Sequence, residues 1–246
     1  MRESWQGLQR ELAGLVLPMG CAGCGLARAR DRLCEECSSV LEGAVPRRVW
    51  PSQVPSGLPR VYGALTYADE VRAALLAHKE RGALRLAAPL GAALAGAVRM
   101  ASHGARATGP RTPVRARTSL RPPGTPVTLV PVPSARRAVA GRGHDPVRRM
   151  ALAAARTLRG EGMPVRVLSV LRQRRTVADQ AGLTAAQRAV NVAGALEAVP
   201  GSERLLAEGE IVLVDDLMTT GASLAEAARA LGGVTGAAVV AVRSGV

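Results

Sequence analysis

Phenylalanine is absent from this chain of 246 residues, and all aromatics together reach only 2%. A core without large rings has to be assembled from Ala, Val and Leu through many small contacts. The same scarcity removes the aromatic platforms on which single-stranded bases stack. Lysine occurs once, at Lys79, so the formal net charge of +14 is carried almost wholly by arginine. A charge of that size attracts polyanions, nucleic acid and phosphorylated metabolites alike, without selecting one. No apolar run approaches the ~18 residues of a membrane span. Nothing after Met1-Arg-Glu-Ser-Trp5 reads as a signal-peptide core. The expectation is a cytoplasmic protein with no membrane insertion.

Cysteine is confined to Cys21-Ala-Gly-Cys24 and Cys34-Glu-Glu-Cys37. Two Cys-x-x-Cys knuckles suit a tetrahedral four-thiolate zinc site, each knuckle presenting two sulfurs to one ion at about 2.3 Å. Disulfides are disfavoured in a cytosolic chain, and no βαβ context supports a redox pair. With no fifth cysteine and no neighbouring histidine, the reading is structural Zn2+ at Cys21, Cys24, Cys34 and Cys37.

The richest stretch is Ile211-Val-Leu-Val-Asp-Asp-Leu-Met-Thr-Thr-Gly-Ala-Ser223. Residues 211–214 read as a buried strand of a parallel sheet, covered on both faces and therefore free not to alternate. Asp215 and Asp216 stand at its carboxyl end, and the turn 219–223 opens a helix running to about Leu231. Ligands of open α/β sheets bind outside the strands' carboxyl ends, where helix N-termini offer unpaired N–H groups to anions. Met218, Thr219, Thr220, Gly221, Ala222 and Ser223 thus offer backbone donors and hydroxyls to a phosphate. The two carboxylates suit ribose hydroxyls, or Mg2+ carried by the ligand. Neither a Walker loop nor a dinucleotide fingerprint is present.

Ahead of the knuckles, Trp5, Leu8, Leu12 and Leu15 predict an amphipathic helix over 1–17. The knuckle module spans 18–45, and 46–60, with Pro46, Pro51, Pro55 and Pro59, reads as a linker. The main domain covers 61–246. It begins with an alternating strand over 61–67, a helix capped by Asp69 that carries a surface or half-buried His78, and an Ala-rich helix from Leu84 to Met100. The five prolines of 101–126 predict a disordered basic loop. A strand then leads into Pro131-Val-Pro133-Ser134, a helix covers 146–158 with proline in its first turn, and 165–171 forms another strand. Thr184 can cap a helix carrying Gln187, Arg188 and Asn191, and 237–242 closes a parallel sheet. Strands alternate with helices at βαβ spacing.

Residues 211–223 closely resemble the phosphoribosyl pyrophosphate (PRPP) motif of type I phosphoribosyltransferases. Four features in order resemble the ComF family, a zinc knuckle joined to a type I phosphoribosyltransferase-like domain. They are the four cysteines; Pro131-Val-Pro133 followed by Arg142-Gly143; Arg175-Thr176 with Gln180, Arg188 and Asn191; and 214–223. Where that family has Arg-Gly-Phe-Asn-Gln, this chain has Arg142-Gly-His-Asp-Pro146.

The resemblance implies a parallel sheet with flanking helices, PRPP as ligand and Mg2+ as its companion. Asp215 and Asp216 would hold the ribose hydroxyls, 219–223 the phosphate, and the Pro133–Ser134 turn the pyrophosphate. Segment 172–191 would be a mobile loop bringing Arg175 and Arg188 to the diphosphate. The implied activity is a phosphoribosyl transfer, linked to nucleoside metabolism or to natural competence and DNA uptake. The alternative is a non-catalytic accessory protein that binds single-stranded DNA and a competence helicase.

Overall fold

A computed structural model of the chain describes residues 20–27, 32–103, 125–134, 136–175 and 185–243. The helix expected over 1–17, most of the 101–126 loop, and Thr176, Gln180, Gly182, Leu183 and Thr184 lie outside the described residues.

Helix α1 (Glu35–Glu42) leaves the second cysteine knuckle and leads to strand β1 (Arg47–Val49). Strand β2 (Val61–Thr66), helix α2 (Asp69–Glu80), a short 3-10 turn (Leu84–Leu86) and helix α3 (Ala87–His103) follow. Next come β3 (Val127–Pro131), α4 (Arg136–Arg142), α5 (Pro146–Gly160), β4 (Val165–Val167), β5 (Leu171–Gln173), α6 (Ala185–Val192) and β6 (Leu196–Ala198). The described chain ends with α7 (Glu203–Leu206), β7 (Glu210–Met218), α8 (Ala222–Ala230) and β8 (Gly236–Val242).

Six strands form one sheet in the order β1-β2-β8-β7-β3-β4, parallel except for β1, while β5 and β6 pair separately as an antiparallel hairpin. The chain leaves β3 for β4 on one side and leaves β7 for β8 on the other. Right-handed crossovers running in opposite directions put their helices on opposite faces of the sheet. The burial agrees. Met150, Ala154 and Leu158 of α5 join α3 over Leu129, Val212 and Val214, whereas Leu224, Ala227 and Ala228 of α8 pack with Val130, Leu213 and Val239. The reversal between β3 and β7 opens a crevice at their carboxyl ends, the usual ligand position in such sheets.

Several local expectations change. Strand β2 does not alternate, because neighbours cover both its faces and Val61 to Ala64 are all buried. Asp69 is the first helical residue of α2 rather than its cap, with Ala68 in the cap position. His78 is fully buried rather than half-buried. The strand expected over 165–171 divides: β4 pairs with β3, and β5 turns away to pair with β6. Within the expected linker, β1 adds an antiparallel edge and buries Val49. The segment Leu84–Ser102 is apolar and long enough to cross a bilayer, against the expectation of no such run. Its Leu86, Leu90, Leu94 and Val98 are buried against the sheet and α5.

Candidate functional site

Strand β7 runs four residues beyond the expected Val214, to Met218, because β8 pairs with it as far as Met218↔Val242. Strand β3 stops sooner. Its last pairing is Pro131↔Val214, and the Val132 N–H donates to the Val214 carbonyl at 2.9 Å. Asp215 and Asp216 therefore lie past the end of β3 while still held by β8. The loop 132–134 flanks them, with Val132 buried and Pro133 and Ser134 half-buried.

The turn that follows lines a small depression with Asp215, Met218, Thr219, Thr220, Gly221 and Ser223. Gly221 is the N-cap of α8 with φ 74°, and a Cβ there would meet Leu58 Cδ1 at 2.9 Å. Only glycine combines that left-handed backbone with that approach at little cost. No side chain caps α8, so its first-turn N–H groups and its positive dipole end remain available to an anion.

The acids have a partner that the motif alone did not show. Lys79 at the end of α2 donates from Nζ to Asp216 Oδ2 at 2.7 Å. Burial pulls the ammonium's pKa down, but the Asp216 and Asp215 carboxylates outweigh it and the net shift is upward. Asp215 is half-buried and accepts the Asp216 N–H at 2.9 Å. Burial, then the charge of Asp216, raises its carboxyl well above the ordinary carboxylate range, against the pull of Lys79. The sequence held one signal for Lys79. It is the chain's single lysine, one helical turn after the buried Leu75.

Two histidines fix the end of α2. His78 directs Nδ1 to the Ala83 carbonyl at 3.3 Å and Nε2 to the Pro146 carbonyl at 3.4 Å. Burial lowers its pKa, and a neutral ring can donate from only one of these nitrogens. His144 stands 3.1 Å from the His78 carbonyl through Nε2 and 3.0 Å from the Arg142 carbonyl through Nδ1. Arg142 in turn pairs with Glu80 at 3.0 Å, with its buried Nε unpartnered. Asp145 caps α5 by accepting the Arg148 N–H at 3.0 Å.

Arg175 is used differently from the expectation. Its Nη2 donates to the Asn191 and Ala193 carbonyls, both at 2.9 Å, closing the C-terminal end of α6. Arg188 is half-buried on α6. The β5–β6 hairpin beneath them is tied to α8 by Glu226, whose Oε1 accepts the Leu196 N–H at 3.0 Å and whose Oε2 accepts from Arg229 Nε at 2.7 Å. Burial pushes this carboxyl up, but Arg229 and the Leu196 and Gly194 amides outweigh it and leave its pKa lowered.

The four cysteine sulfurs all lie within 4.8 Å of one another. Sulfurs around one tetrahedral zinc sit about 3.8 Å apart, and Cys24 Sγ to Cys34 Sγ is 3.6 Å, far beyond a disulfide. Cys21 Sγ accepts the Cys34 N–H at 3.3 Å. Burial pushes the Cys21 thiol up, but the Cys24, Cys34 and Gly23 amides outweigh it and bring it to about 6. A Cβ on Gly23 would stand 2.6 Å from Cys37 Sγ, so the knuckle closes on the cluster only with glycine there. The donor set fits a structural Zn2+.

Fold and site define an α/β protein with a mostly parallel six-stranded sheet, a carboxyl-end crevice and a four-cysteine metal cluster. No family model matches the chain, and no curated protein matches it.

Proposed function

We propose that this protein binds PRPP with Mg2+ in the crevice between β3 and β7, as a type I phosphoribosyltransferase-like protein of the ComF type with a structural Zn2+. The observation that carries the reading is the adjacency of two loops. The 131–134 turn and the 215–223 acid-and-anion segment follow neighbouring parallel strands at the topological switch point.

In this reading the uncapped start of α8, with Thr219, Thr220 and Ser223, takes the phosphate of the ribose. Asp215 and Asp216 take the ribose hydroxyls, and the same carboxylates suit Mg2+, which would neutralise diphosphate charge when bound. Lys79 and Arg142 supply the crevice's positive charge. Transfer at the anomeric carbon would leave pyrophosphate, so what the protein offers is orientation, charge stabilisation and exclusion of water. No general base stands in the crevice among the described residues, which makes positioning the main contribution. Arg175 and Arg188 belong to the loop proposed to close over the ligand.

Isothermal titration with PRPP and Mg2+ tests this. Saturable binding is expected in the wild type and is expected to be lost in Asp215→Ala. No heat, or unchanged binding by that variant, overturns the reading. Pyrophosphate release on adding free bases would assign turnover. Salt-dependent binding of single-stranded DNA that PRPP competes away would instead favour the accessory role.

A further inference from the structure

A second concavity, sharing no residue with the crevice, lies between the cysteine knuckle, the start of α3 and the N-terminal half of α5. It is an open groove of about 820 Å3. Its apolar surface includes Leu33 from the knuckle, Leu84 from the 3-10 turn and Leu152 from α5. Its charge is of one sign. Arg85, Arg148, Arg149 and Arg156 line it, and no Asp or Glu does.

On α5 the sequence sets Arg148, Leu152 and Arg156 at successive four-residue steps, one stripe along the helix. Arg148, Arg149 and Arg156 are exposed, and among the described residues no carboxylate pairs with them. Like charges gathered on one helix face destabilise it unless an anion answers them. The surface is therefore incomplete electrostatically and apolar at its centre.

We propose that this groove docks an acidic, amphipathic segment of a partner protein, a helix whose aliphatic residues rest on Leu84 and Leu152 while flanking Asp or Glu meet the arginines. Helix-in-groove recognition uses this combination, with anchors at three- and four-residue spacing. Nucleic acid fits less well. No aromatic side chain lines the groove to stack a base, and an apolar centre gives a phosphate backbone nothing to contact. Arginine suits the role because its fork pairs two-pronged with carboxylates.

The test is fluorescence anisotropy on the full chain with a labelled helical peptide carrying Leu at i, i+3, i+4 and i+7 between glutamates. Comparison peptides replace each Leu by Ser or each Glu by Lys, and an oligothymidylate serves as the nucleic-acid probe. Saturable binding of the acidic Leu peptide is expected, unaffected by excess PRPP with Mg2+. The exposed-site variant Arg148→Glu/Arg156→Glu is expected to weaken it by about tenfold or more, and Leu152→Ser to weaken it without altering the salt dependence. The proposal is overturned by absence of saturable binding up to about 1 mM peptide. It is equally overturned if the Ser peptide binds as well as the Leu peptide, or if oligothymidylate binds more tightly with the same arginine dependence. Because PRPP is the competitor, loss of crevice binding and loss of groove binding are read separately.

Discussion

The Lys79 ammonium lies 2.7 Å from Asp216 and within the field of Asp215, so one cation answers two acids. Asp216 is 8% exposed, while the Lys79 side chain keeps 37% of its surface in solvent. Removing the cation leaves two crowded carboxylates. A fully buried pair broken in this way loses about 3–5 kcal/mol, and solvent at Lys79 reduces that to about 1–2 kcal/mol. Lys79→Met is expected to lower stability by that amount in urea denaturation. Asp216→Asn added to Lys79→Met is expected to recover most of the loss, because the repulsion disappears with the second charge. Strictly additive single and double variants would show that the contact carries no coupling. The same pair bears on ligand binding, since Asp216 must exchange Lys79 for a ribose hydroxyl or a cation before it can serve the crevice.

Between elements, Glu226 performs the comparable task. From α8 it holds the edge of the β5–β6 hairpin through the Leu196 amide and Arg229, and Arg229 returns a bond to the Leu196 carbonyl at 3.0 Å. Glu226→Gln is expected to cost about 1–2 kcal/mol, since charge-assisted bonds become neutral ones. The sign of the pH dependence follows from the lowered pKa. Glu226 contributes fully above its unfolded value, near the ordinary 4.5, and the contribution fades as pH falls through the lower folded value. Urea midpoints of wild type and variant should therefore differ at neutral pH and converge in acid; a constant difference would rule out the charge as cause.

None of this tie was legible in the sequence, whereas the βαβ alternation was. Val165, Val167, Leu168, Val170 and Leu171 make a run that reads as one strand. Only long-range pairing divides it: Leu168 N–H goes to the Leu129 carbonyl, while Val170 accepts from Val199. The acids and the anion turn were legible because a contiguous strand–turn–helix carries its own geometry. Lys79 was not, because its partner lies 137 positions away.

The cysteine knuckle is not a pendant on the whole molecule. Cys21, Leu33, Cys37 and Leu41 are buried in the same apolar cluster as α3, α5 and the sheet residues Val212 and Val214. Alanine, valine and leucine fill that cluster, and the absence of phenylalanine leaves it built from small side chains. A metal that orders the knuckle therefore acts on the main core. Binding to the folded state alone stabilises by about 2.7 kcal/mol when free ligand stands a hundredfold above its Kd. Stripping Zn2+ under reducing conditions is expected to shift the whole unfolding transition, followed through the helical signal, to lower urea. It should not merely remove a separate minor transition. Gly23→Ala is expected to act in the same direction and to lower the zinc content, because its new methyl would meet Cys37 Sγ at 2.6 Å. Readdition of Zn2+ should restore the midpoint of the stripped wild type more fully than that of the variant. An unchanged main transition after chelation would make the knuckle an independent module. Zinc content well below one ion per chain in reduced wild-type protein would remove the metal assignment itself.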